Sequence, residues 1–221
     1  GYSFKKRSLL SEALTHRSFH HEHPDLAPSY NERLEFMGDS VLGLVIVEYL
    51  FNDLNAFTES EMSKIKSYLV RGALLSEIAS GIGLGSYIKL GRGEEETGGR
   101  TKKSILANAM EAVFGAVYLD SGYETARELI LRLFQQTIVT AIASGHYHDY
   151  KTELQEKSQM LFGVLPEYRV ISQEGQEHRK TFTVEVFIRE KKFGAGAGRN
   201  KKEAQMLAAK EAMERLKSEG D

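Results

Sequence analysis

The chain has 221 residues, 41% hydrophobic and 27% charged, with a net charge of -2. That is the composition of an ordinary globular protein, long enough for one large domain or two smaller ones, and it excludes disordered, collagenous and membrane-embedded classes. The absence of cysteine excludes a disulfide framework, thiolate zinc sites and a cysteine nucleophile, leaving oxygen and imidazole ligands for any metal.

Apolar runs such as Val41 to Leu50 fall short of the roughly 20 residues that span a bilayer, so no membrane association is expected. No basic-then-apolar leader opens the chain, and Gly1 in place of Met points to a processed start; a cytoplasmic location is the expectation. From residue 1 to 144 apolar residues recur at helical spacing, and turn residues fall only between the runs. The reading is an all-helical domain with helices near Ser8 to Thr15, Asn31 to Phe51, Glu59 to Val70, Ala73 to Ile82, Ser104 to Leu119 and Thr125 to Ala143. Thr58 and Glu61 form a capping box that starts the third of these. The Gly-rich, charged segment Gly91 to Arg100 lacks periodicity and reads as an exposed, mobile loop, as does the stretch holding His20, His21 and His23, which is a hydrated loop before it is a zinc site.

Residues 145–148 are a short polar break, read as a linker. After it the period changes. Asp149 to Leu161 is helical, Tyr168 to Ile171 and Lys180 to Ile188 alternate with period two, and a third strand from Lys192 runs into Gly-Ala-Gly-Ala-Gly. Asn200 then caps a helix to Lys217, whose Ala204, Leu207, Ala208 and Met213 can face the sheet. The fold class is thus multidomain: an all-α domain over 1–144, then a small α+β domain of α-β-β-β-α order over 149–218. Between Arg189 and Lys202 six basic residues face a single acid, Glu190, which makes a local patch on a chain that is not basic overall.

The chemistry concentrates on two helices. Glu35 and Asp39 are four apart and share one face. From Leu34 to Phe51 apolar residues surround almost the whole helix, which marks it as central and buried. A carboxylate in such a place must be paired, bound to metal or neutralised. The run Ser104 to Phe114 repeats the pattern with Glu111, and Asn108 lies three residues earlier on the same face. Spacing leaves two readings open: internal salt bridges to Arg33, Arg71 or Lys103, or a shared site for a hard divalent cation, for which Mg²⁺ suits an oxygen ligand set. Phe36 likewise reads either as core or as a dimer contact.

The segment Asn-Glu-Arg-Leu-Glu-Phe-Met-Gly-Asp-Ser, Asn31 to Ser40, closely resembles the signature of the ribonuclease III family of double-stranded RNA endonucleases. Leu14 to Ser18, Gly98 to Arg100 and Ile105 to Asp120 are similar to further segments of that family in the same order, and the second half resembles its double-stranded RNA-binding domain. The resemblance implies that Glu35, Asp39 and Glu111 are metal-binding and catalytic, with Asn108 a fourth ligand position and Glu32 a supporting acid. Position 108 departs from the pattern, where the family commonly has Asp; an amide carbonyl can still ligate or orient but brings no charge. The resemblance also implies Mg²⁺ as cofactor, with Mn²⁺ as a substitute, a homodimer cutting each strand once, products with 5′-phosphate and 3′-hydroxyl ends and short 3′ overhangs, and a role in rRNA and mRNA processing.

A-form RNA is recognised through shape, 2′-hydroxyls and phosphates. Gln155 and Gln159, four apart on one helix, suit a minor groove; the loop from Glu174 to His178, with His178 at its end, suits the next; Asn200, Lys201 and Lys202 at a helix start suit the phosphates between them. Two readings from other classes compete with the nuclease: a protein that holds duplex RNA without cutting it, motivated by Asn108, and a helical phosphohydrolase acting on a smaller substrate, which leaves the second domain unused.

Overall fold

The computed structural model describes residues 2–53, 57–145, 147, 149–175 and 180–218. The chain divides into two compact units, Gly1–Tyr147 and His148–Asp221. In the first lie helices α1 (Arg7–Ala13), α2 (Arg17–Glu22), α3 (Glu32–Asp53), α4 (Glu59–Leu69), α5 (Gly72–Gly81), α6 (Arg92–Glu96), α7 (Lys103–Ser121) and α8 (Tyr123–Ser144), with 3₁₀ turns at Leu84–Tyr87 and Gly99–Thr101. The capping box forms as the sequence predicts: the Thr58 N–H donates to Glu61 Oε2 at 2.8 Å and the Glu61 N–H to Thr58 Oγ1 at 3.3 Å, so α4 begins at Glu59. Leu42, Ile46 and Leu50 of α3, Met110 and Phe114 of α7, and Ile130 and Phe134 of α8 are fully buried in one core. Each contributes about 1.5–3 kcal/mol relative to exposure.

Two expectations for this unit need correction. Helix α3 is not buried all round. Its inner face carries Leu34, Val41, Leu42, Val45, Ile46 and Leu50, but Phe36 is 78% exposed and Phe51 69%, with Leu44 and Val47 exposed between them. The near-continuous apolar sequence therefore serves two surfaces, the unit's own core and an outward row, and periodicity sees only their sum. The core reading of Phe36 falls away.

The second correction concerns residues 91–100, which form α6 and a 3₁₀ turn fastened on several sides. The Gly91 N–H donates to Ser18 Oγ and the Arg92 N–H to Glu22, tying α6 to α2. One guanidinium nitrogen of Arg100 donates to the carbonyls of Gly85, Ser86 and Ile88, and Arg100 Nε pairs with Glu95 at 2.6 Å. Glycine and charge mimic a loop composition here because the glycines admit close packing; a Cβ at Gly99 would stand 2.7 Å from the Glu94 carbonyl oxygen. His20 and His21 likewise lie on α2, not in a loop.

The second unit places α9 (Tyr150–Phe162) and α10 (Lys201–Ser218) with an antiparallel sheet of order β1-β2-β3, made by Glu167–Glu174, Thr181–Ile188 and Lys191–Gly198. Val184, Val186 and Ile188 of β2 meet Ala204, Ala208 and Ala212 of α10 in its core. The Gly-Ala-Gly-Ala-Gly segment belongs to β3 itself, paired along β2, and a Cβ at Gly196 would lie 2.4 Å from the Ala208 nitrogen of α10. Only glycine lets strand and helix backbones come that close. Leu207, expected to face the sheet, is 42% exposed; Ala204 and Ala208 take the contact instead. The architecture is an all-α unit followed by an α-β-β-β-α unit.

Candidate active site

Helices α3 and α7 cross at backbone contact, and two glycines make the crossing possible. A Cβ on Gly38 would lie 1.7 Å from the Glu111 carbonyl oxygen, and one on Gly115 would lie 2.3 Å from that of Leu34. Because Gly38 immediately precedes Asp39 and its partner across the crossing is the backbone of Glu111, this approach brings the acids of the two helices into one electrostatic neighbourhood. Sequence reasoning singled out neither glycine. The available signal was a helix-interior glycine, which costs about 1 kcal/mol relative to alanine and so calls for a packing reason.

The acids feel one another. Burial, followed by the charges of Asp39 and Glu35, pushes the Glu111 carboxyl up to about 7 from an ordinary 4.5. Burial and the charge of Glu32 also raise Glu35, while a hydrogen bond from Asn108 holds it back. Glu35, Asn108 and Glu111 are half-buried and Asp39 is exposed, so the site opens to solvent instead of being sealed in the core.

The salt-bridge reading does not survive. Among the described residues no lysine or arginine stands within salt-bridge distance of Glu35, Asp39 or Glu111; Arg71 instead lies over the Tyr68 ring at 4.0 Å. Glu32 is exposed and has Arg17 at 3.6 Å. Nor, among the described residues, do three or more His, Cys, Asp and Glu side chains close into a ready-made metal cage. An open array of carboxylate and amide oxygens with no ion-paired lysine or arginine among the described residues nevertheless fits Mg²⁺, which keeps several waters and uses few protein ligands. His16 caps α2, its Nδ1 accepting from the Ser18 N–H, and burial pushes its imidazole down. Arg92 pairs with Glu96 at 2.9 Å.

In the second unit Gln155 and Gln159 are exposed together on α9, and Lys201 and Lys202 are exposed at the start of α10. Asn200 caps that helix by accepting from the Glu203 N–H at 2.9 Å, so one of the donors at the helix start is already used. His178 lies outside the described residues.

A family model described as ribonuclease-III-like matches residues 6–138, and one for the double-stranded RNA binding motif matches residues 150–216. The chain is 45% identical to ribonuclease 3 of Syntrophotalea carbinolica, over 97% of this chain and 93% of that one. It is 47% identical to ribonuclease 3 of Clostridium botulinum strain Eklund 17B, over 98% and 92%. Among solved structures, the nuclease domain of ribonuclease III from Campylobacter jejuni is similar with a TM-score of 0.57 at 42% identity, covering 61% of this chain and 90% of that one; it is described for structural flexibility in the region involved in dimer formation. Fold and sequence together define a helical nuclease domain followed by a double-stranded RNA-binding domain. The chain belongs to the ribonuclease III family, endoribonucleases that act on double-stranded RNA.

Proposed function

We propose that this chain hydrolyses both strands of duplex RNA as a homodimer, using Mg²⁺ held by Glu35, Asp39 and Glu111, with Mn²⁺ as a working substitute. The observation that carries the reading is the acid cluster: burial and the charges of Asp39 and Glu35 on α3 raise the proton affinity of Glu111 on α7, burial and the charges of Glu32 and Asp39 raise that of Glu35, and no described lysine or arginine stands within salt-bridge distance of Glu35, Asp39 or Glu111. Like charges held in this way are stabilised by a cation from outside the chain. A bound divalent ion would supply Lewis-acid polarisation of the phosphoryl group and a water nucleophile at neutral pH. The chain's own part is to fix the acids on helices locked at Gly38 and Gly115, with Asn108 orienting Glu35 and Glu32 adding negative potential at the rim. Products carry 5′-phosphate and 3′-hydroxyl ends with short 3′ overhangs, and the cellular work is rRNA and mRNA processing in the cytoplasm.

The outward row of Phe36, Leu44, Val47 and Phe51 supports the dimer. Monomers seldom leave a contiguous apolar row of this kind in water, and a two-fold axis lets one such row cover its own copy, giving two acid clusters for two strands. Gln155 and Gln159 on α9, Asn200 at the cap of α10, and Lys201 and Lys202 in its first turn hold the duplex, as does His178. A perfect RNA duplex incubated with Mg²⁺ and with chelator tests the reading. Double-strand cleavage in Mg²⁺ alone, with phosphatase-sensitive 5′ ends, is the expected result; binding without cleavage in Mg²⁺ overturns it.

A further inference from the structure

We propose that Lys66 contacts a backbone phosphate of the RNA beside the one that is cut, in the groove that opens at Asp39. This rests on the reading of Asp39 as part of the hydrolytic site. Lys66 stands in the last turn of α4 and is half-buried. Its side chain lies over α3 at Gly43, where an added Cβ would come within 3.6 Å of Lys66 Cε and 3.9 Å of Nζ. Residue 43 is four residues, about one turn, beyond Asp39 on the same face, about 6 Å along the helix axis. Asp39, Ser40, Gly43 and Lys66, with the apolar Leu44 and Val47, line a groove of about 590 Å³, within the range of pockets that hold ligands.

The ammonium has no carboxylate within salt-bridge distance among the described residues, although Asp39 shares its groove and Glu59 lines the adjoining cavity of about 220 Å³. Holding a lysine stem in place costs side-chain entropy, and partial burial of an unpaired charge adds to that cost. An anion in the groove would pair the charge and offset the cost of ordering the stem. The substrate is a polyanion that must approach three carboxylates, and a cation one turn from Asp39 offsets that repulsion where the strand enters. Lysine serves as a point charge for phosphate. Leu44 and Val47 also belong to the row assigned to the second copy, so the phosphate is placed at the polar end, between Asp39 and Lys66.

The test uses the full chain, wild type, K66A and K66R, with a perfect RNA duplex. Binding is measured in chelator across a salt series, cleavage in Mg²⁺, and oligomeric state by sedimentation. In K66A we expect Kd and KM to rise about fivefold to tenfold with kcat little changed, and the slope of log K against log salt to shrink by about 0.9, the value expected when one phosphate is no longer neutralised. K66R restores the slope, and all three proteins sediment alike. An unchanged slope and Kd in K66A overturns the proposal, as does a weakening that tracks dissociation of the dimer, which would place Lys66 in a cross-subunit ion pair. Wild-type protein that binds but does not cut in Mg²⁺ overturns the hydrolytic reading instead, and the salt slopes still decide the phosphate contact.

Discussion

Replacing Glu111 with glutamine separates catalysis from stability, and the two effects have opposite signs. The rise of the Glu111 carboxyl from 4.5 to about 7 corresponds to at most about 3 kcal/mol. The side chain keeps contact with water, and screening reduces the figure to about 1–2 kcal/mol. Because the folded-state value is raised, the group stabilises the fold below its unfolded value near 4.5, and that stability is lost as pH rises through about 7. At pH 8 without metal, wild-type protein bears the whole penalty and Glu111→Gln bears none. The variant should therefore melt about 2–8 °C higher at pH 8 in chelator, with the gain vanishing at pH 4.5, while cleavage of duplex RNA is abolished and RNA binding is retained. Added Mg²⁺ should raise the melting temperature of wild type more than that of the variant. Calorimetric melts at the two pH values, paired with a cleavage assay, measure all of this. A variant that melts lower than wild type at pH 8, or gains equally at both pH values, would refute the account of a strained acid cluster.

Phe36→Asp puts a charge into the outward row of α3 and should yield a monomer by sedimentation with cleavage abolished, while the far-ultraviolet spectrum stays unchanged. Replacing Lys201 and Lys202 together with alanine should weaken duplex binding independently of RNA sequence and lower the salt slope by about 0.9 for each phosphate that the lysines neutralise; a slope equal to wild type would remove them from the interface. Gly38→Ala would place a methyl carbon 1.7 Å from the Glu111 carbonyl oxygen, so the helices must shift. Over-packing typically costs 1–3 kcal/mol, and against rigid backbone about 3 kcal/mol is expected, read as a lower urea midpoint at unchanged m, together with loss of cleavage as α3 and α7 move apart.

The elements were legible because they rest on local chemistry. Thr58 and Glu61 cap α4 through their own backbone neighbours, and the alternation of Phe182, Val184 and Val186 marks β2 whatever packs on it. The placement of Glu35 with Asp39, and of Asn108 with Glu111, on shared faces follows from helical geometry alone. The segment 91–100 misled because its order comes from distant partners, Ser18, Glu22 and the carbonyls at 85, 86 and 88, none of which its composition records. Leu207 misled for a related reason: hydrophobicity says that a residue gains by burial, not that alanines beside it have left room.

What the sequence determined by itself is therefore a set of amphipathic and capped segments, the change of period after residue 148, and which acids share a face. Only tertiary structure decided that α3 buries one apolar face and exposes another, that two glycines bring Glu111 to Asp39, and that no cation of the chain pairs with these acids among the described residues. The physical reason is that periodicity describes one element relative to its own axis, whereas burial, proton affinity and ion pairing depend on which other element arrives and how near its backbone can come.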